Sequence, residues 1–263
     1  MKFIGKLLIV VVVLGGACMW AMYNGHWSGI ISFTQAVFGE ETAENVDTFG
    51  NASKDVGDDV VEYGTGVYDQ VKSGEKVAPD WGVLDDALGG FGKPGTERHP
   101  DYERTKFGDG WLDTDSNGCD TRNDILARDL TQPVIDTDKC TVLSGTLADL
   151  YTGKAITFKR GAATSSLVQI DHVVPLALAW EEGAWKWSEE KRKAFANDPV
   201  NLRAVDGPTN SAKGAKPISA WLPPSAGAHC TYVALYVAVH DKYELTMAEA
   251  DQKASRKLIA ACD

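Results

Sequence analysis

The chain has 263 residues, 44% of them apolar, enough for one large domain or a medium domain with extensions. Its formal net charge is −11, with 6 lysines against 13 acidic residues over 1–96 and 20 basic against 24 acidic residues over 97–263. That balance argues against a tight nucleic-acid binder whose affinity comes from neutralising phosphates, but not against an enzyme that must release a polyanionic product.

At the N-terminus, Lys2 and Lys6 precede 17 uncharged, mostly apolar residues, Leu7 to Tyr23. Such a run suits a secretory signal or a short membrane span, and the lysines would hold the start on the cytoplasmic side. The expectation is export, with residues 1–23 acting as a signal peptide or as a membrane anchor facing outward. Residues 24–96 are acidic and dotted with glycines, among them Gly50, Gly57, Gly64, Gly66 and Gly74. Each costs a helix about 1 kcal/mol, so this stretch reads as a linker, at most partly helical, ending in a hinge at "LGGFGKPG", residues 88–95.

The domain is expected over 97–263, where tryptophan, arginine and patterned apolar residues become dense. "DILARDL" reads as a helix, "TVLSG" and "AITFKR" as strands, and "SLVQI" as a strand ending near Asp171 ahead of Pro175. "SEEKRKAFAND" is a helix with Ser188 as N-cap, and "HCTYVALYVAVHDKYEL" an apolar helix. The last helix is expected to open on a capping box, Thr246 with Glu249. The class is α+β.

Cys119, Cys140, Cys230 and Cys262 form an even set without C-x-x-C spacing, which suits disulfides in an oxidising compartment better than zinc. Four cysteines allow three connectivities; Cys119–Cys140 and Cys230–Cys262 are expected because each closes a local loop.

The chemistry-bearing stretch is "QIDHVVP". Asp171 and His172 interrupt an apolar run, and neighbours on a strand point to opposite faces, so both reach one site only where the strand gives way to a loop. Downstream, "VNLRAV" is a returning strand carrying Asn201, "DGP" a turn, and "TNSAKG" a first helical turn presenting Asn210 and Lys213 on one face. These residues would line a small pocket of oxygen and nitrogen atoms.

On these residues the sequence resembles the HNH, or ββα-metal, nucleases. More closely, "CDTRNDIL", "QIDHVVPLALAW", "FANDPVNLRAVDGPTNSAKG" and "WLPP" with the following C-x-Y resemble bacterial secreted HNH-family nucleases and the C-terminal domain of GmrSD-type restriction endonucleases. The third motif position holds Asn210 where many relatives carry His. The resemblance implies a ββα core with additional helices over roughly 102–262, and an endonuclease cutting DNA, with RNA left open as substrate. It implies His172 as general base, Asp171 and Asn210 as ligands of one divalent cation, Mg²⁺ before Mn²⁺, and no small-molecule cofactor. Asn201 would orient His172 or brace its loop, and Lys213 would contact a flanking phosphate. Arg122 would either grip the substrate phosphate or pair with Asp120 or Asp124.

Low sequence specificity is the leading expectation, since no readout domain is recognisable. A restriction- or toxin-type nuclease is the alternative enzyme, and an inactive surface interaction protein on the same scaffold the alternative of another class. Trp180, Trp185, Trp187 and Trp221 read as core packing rather than base-stacking platforms.

Overall fold

A computed structural model describes residues 80–262; the expectations for residues 1–23 and for the stretch up to 79 lie outside the described residues. Helix α1 (Trp81–Gly90) is followed by a 3₁₀ turn (Arg104–Phe107) and α2 (Thr121–Asp129). Strands β1 (Leu130–Ile135), β2 (Val142–Ala148) and β3 (Ala155–Lys159) come next, then β4 (Val168–His172), α3 (Leu176–Glu181) and α4 (Glu189–Ala196). Strand β5 (Leu202–Asp206), α5 (Gly207–Lys213), α6 (His229–Tyr243) and α7 (Glu249–Cys262) complete the order. The class is α+β.

Local chemistry explains most boundaries. Asp120 accepts from the Asn123 backbone N–H to start α2, Ser188 from that of Lys191 to start α4, and Asp206 from that of Thr209 to start α5. The capping box expected at Thr246 and Glu249 does not form. The Thr246 hydroxyl and backbone N–H both donate to the Glu182 carbonyl, and Glu249 pairs with Lys93 at 2.8 Å.

Two antiparallel sheets result, β1-β2-β3 and the ribbon β4-β5, in which Asp171 faces Arg203 and His172 faces Leu202. Period-two alternation divides the ribbon between two apolar cores. Val168, Ile170, Leu202 and Ala204 join Ile125, Leu126 and Phe158 in a core beneath the three-stranded sheet. Val205 and the following Val173 and Val174 join the larger core, built mainly from helices. In that core α6 is buried almost throughout, from Thr231 to His240.

Residues 81–90, assigned by composition to the linker and its hinge, form α1. Leu84 and Leu88, one helical turn apart, are fully buried in the larger core where α1 packs on α6 and α7. The four tryptophans also pack in or against that core, Trp180 only 3% exposed and donating from Nε1 to the Pro100 carbonyl. Disulfides join Cys119 to Cys140 and Cys230 to Cys262, the second tying α6 to the end of α7. Leu84→Ala should cost about 2–5 kcal/mol of unfolding free energy, read from urea denaturation. A loss under about 1 kcal/mol would detach α1 from the folded unit.

Candidate active-site cleft

Strand β4, the 3₁₀ turn and α5 frame a cleft of about 480 Å³, lined by Tyr102, Arg104, Gln169, Asp171, His172 and Asn210 among others. A narrower cleft of about 60 Å³ adjoins it, sharing Arg104, His172 and Leu176 and adding Trp111, Phe107 and Ala196. Asp171 and His172, on opposite faces of β4, therefore both reach the space at the strand's end.

Helix α5 starts at the end of β5 and lies against β4 because Gly207 allows it. A Cβ there would fall 2.1 Å from the Ser166 carbonyl oxygen, just before β4. The helix points two side chains back at the strand. Asn210 Nδ2 donates to Gln169 Oε1 at 3.0 Å, leaving Asn210 Oδ1 as the amide's remaining acceptor. Lys213 Nζ donates to Asp171 Oδ2 and to the His172 carbonyl oxygen, each at 2.6 Å.

Lys213 is thus buried, 0% exposed, and burial pushes its ammonium below the ordinary lysine range, against the pull of Asp171. It is not on the surface to meet a flanking phosphate, as the sequence led one to expect. A second donor grips the same oxygen: the Tyr151 hydroxyl, 2.5 Å from Asp171 Oδ2, on a fully buried ring. Burial and the neighbouring carboxylate hold that phenol well above its ordinary value, so it stays a donor. Asp171 Oδ1 takes no hydrogen bond from the described residues.

His172 Nε2 lies 2.8 Å from the Ala196 carbonyl oxygen, which can only accept, so Nε2 carries the proton. The neutral ring then has its lone pair on Nδ1. Trp111 stacks on the imidazole at 6.0 Å between centroids and 9° between planes. Burial, then the Arg104 and Lys213 charges, push His172 down to about 3, against the Ala196 hydrogen bond. Asn201, fully buried, closes a two-way bond with Val174, its Oδ1 accepting from the backbone N–H at 2.8 Å and its Nδ2 donating to the carbonyl at 3.2 Å. It braces the loop after His172 and makes no bond to the imidazole.

Five of the six residues singled out for chemistry therefore surround the end of β4. Arg122 is not among the residues lining these two clefts; its Nη2 donates to the Val168 carbonyl at 3.3 Å, and it forms no ion pair with Asp120 or Asp124. Sequence reasoning missed Tyr151, Gln169, Trp111 and Arg104. Gln169, two residues before Asp171, was within reach of the strand periodicity; the others come from segments with no motif of their own.

Two oxygens, Asp171 Oδ1 and Asn210 Oδ1, take no hydrogen bond from the described residues, and both residues line one cleft, which fits a hard cation completed by water and phosphate oxygens. Among the described residues no three His, Cys, Asp or Glu side chains converge as a metal cage. Asp113, Asp115, Asn117 and Gly118 in the loop before α2, with Asp124 in the first turn of that helix, have the spacing used by calcium loops, but Asn117 Nδ2 sits between Asp115 and Asp124, donating to both.

The fold and cleft define an α+β domain carrying a buried carboxylate, a neutral imidazole and an amide around a ribbon-and-helix frame. Residues 120–258 match the family described as GmrSD restriction endonucleases, C-terminal domain, and the chain belongs to that family. It is also 37% identical over 163 residues, 61% of this chain and 76% of the relative, to an uncharacterized secreted protein of Arthroderma benhamiae. No solved structure matches.

Lys213→Met would leave the Asp171 carboxylate buried without its counter-charge and should cost about 3–5 kcal/mol at pH 7 without added divalent cation. A urea titration that moves by less than about 1 kcal/mol would refute the pair's role. His172 ordinarily titrates near 6.5 and here near 3, so between those values the unfolded chain binds the extra proton. The stability this provides is present above pH 6.5 and erodes as pH falls toward 3. His172→Asn should flatten the fall of melting temperature between pH 6.5 and 4; parallel profiles would contradict the assignment.

Proposed function

We propose that the domain is a metal-dependent endonuclease of the HNH type, hydrolysing phosphodiester bonds in DNA outside the cytoplasm. One observation carries the reading: a carboxylate, an amide and an imidazole, each with one atom unused by the described residues, line a single cleft on a strand–strand–helix frame. Family membership supports nuclease chemistry and a nucleic-acid substrate.

In this reading His172 takes the proton of the attacking water at Nδ1, while Nε2–H stays bonded to Ala196 and fixes the ring. Trp111 covers one face of the imidazole and limits its tilt. Asp171 and Asn210 would hold one divalent cation, Mg²⁺ before Mn²⁺, because both offer hard oxygens. When bound, that ion supplies polarisation of the phosphoryl oxygen and stabilises the departing 3′ oxygen. Lys213 and Tyr151 hold Asp171 Oδ2, so the carboxylate cannot swing away from the cleft.

Export is supported by the two disulfides, by the apolar run at 7–23, and by the description of the Arthroderma benhamiae relative as secreted. Among the described residues no helix is long and apolar enough to cross a membrane.

The test is plasmid cleavage by the full chain with Mg²⁺, with Mn²⁺ and with EDTA. Both metals should support cutting, and EDTA should abolish it. His172→Ala should lower the rate by about 10²–10⁴ with the circular-dichroism spectrum unchanged. Undiminished cleavage in EDTA would refute the metal, and undiminished cleavage by the variant would refute the base. The family's description favours a restriction-type role as the second reading; discrete fragments rather than a smear would select it.

A further inference from the structure

We propose that Arg104 is the residue that grips the substrate phosphate, in the cleft it lines together with Asp171 and Asn210. The proposal rests on the nuclease reading for its substrate.

A phosphodiester entering the cleft brings a negative charge to a place already holding the Asp171 carboxylate, in a chain of net charge −11. Binding there needs a cation that is not already committed. Lys213 is spent on Asp171 and the His172 carbonyl, and is sealed from solvent. Arg122 is turned to the Val168 carbonyl, and Arg160 to the Val142 carbonyl and Asn123. Arg104 is the only Lys or Arg among the residues lining either cleft, and it lines both, where they meet at His172.

Its surroundings leave the guanidinium without a carboxylate partner among the described residues, at the place where the two clefts meet. The side chain is exposed and makes no ion pair with a carboxylate of the described residues. Its guanidinium shares a hydrogen bond with the Tyr102 hydroxyl, whose ring packs against Phe107 and Trp180, which leaves its other N–H donors for a ligand. The backbone beneath is fixed as well. Phe107, at the end of the same 3₁₀ turn, is 1% exposed, and Arg192 Nε donates to the Lys106 carbonyl at 2.8 Å. A planar guanidinium so placed can offer two parallel N–H donors to the non-bridging oxygens of one phosphate, which a lysine cannot.

The experiment measures binding and cutting separately on the full chain. Binding is read from the anisotropy of a fluorescein-labelled 20-base-pair DNA duplex in EDTA across a salt series, and cutting from plasmid with Mg²⁺. Arg104→Ala should weaken binding and reduce the slope of log K against log salt by about 0.9, the value of one lost phosphate contact. It should lower kcat/KM by about 10²-fold, with Arg104→Lys recovering only part. Arg122→Ala should leave the salt slope unchanged. A wild-type chain that binds duplex but does not cut would refute the nuclease reading while the salt slope still tests Arg104. An unchanged slope and rate in Arg104→Ala overturn the proposal, as does a wild-type chain that binds no duplex.

Discussion

A lysine ammonium against a carboxylate, both out of water, is the constraint on which the site depends. Lys213 and Asp171 would be expensive to bury separately, and together they roughly break even against an apolar pair. What the pair provides is position. Lys213 also bonds the His172 carbonyl, so one ammonium fixes the last helical turn of α5 to the last two residues of β4. The close approach at Gly207 and the Asn210–Gln169 bond fix the other end of the same helix against the same strand. A shift of α5 by one residue would break all four contacts at once.

The pair also sets the charge seen by a ligand. With Lys213 and the Tyr151 hydroxyl both on Oδ2, the carboxylate is countered at one oxygen, and Oδ1 takes no hydrogen bond from the described residues. The ribbon that carries it lies between two apolar cores, so its backbone has little room to adjust. His172 is held the same way from the other side, by the Ala196 carbonyl and the Trp111 ring. The groups assigned to the chemistry thus stand on regular elements and are oriented by hydrogen bonds and ring stacking within the protein.

Much of this was legible in the sequence where local rules and the fold agree. Strand β4 ends where alternation stops before Pro175, Ser188 caps its helix, and the three-residue spacing of Asn210 and Lys213 places both facing β4; the stretch read as a turn, Asp206 to Pro208, instead caps and opens α5. Less legible were features whose cause is tertiary. Strand β1 contains Pro133, which reads against a strand, and is accommodated by an irregular register between Thr131 and Val134. Helix α1 is short and glycine-flanked, and only its burial against α6 and α7 gives Leu84 and Leu88 their meaning. Lys213 looked like a surface charge because periodicity gives a residue's face, not whether a partner covers it.

The family match begins at residue 120, yet the cleft has a wall that begins earlier. Tyr102, Arg104 and Trp111 all precede the matched segment, and their stretch is tied to the rest by specific bonds. Trp180 Nε1 holds the Pro100 carbonyl, Arg192 the Lys106 carbonyl, Asn197 Oδ1 the Leu112 N–H, and Thr121 the Leu112 carbonyl. Each anchor outside this stretch belongs to the matched domain, on α2, α3, α4 or just after it, so the domain itself positions the earlier residues that line the two clefts with its own Asp171, His172 and Asn210. The matched portion supplies the carboxylate, imidazole and amide; the segment before it supplies the guanidinium and the ring that covers the imidazole. Under the proposed nuclease reading a phosphodiester would need both sets, the first to act on it and the second to hold its charge.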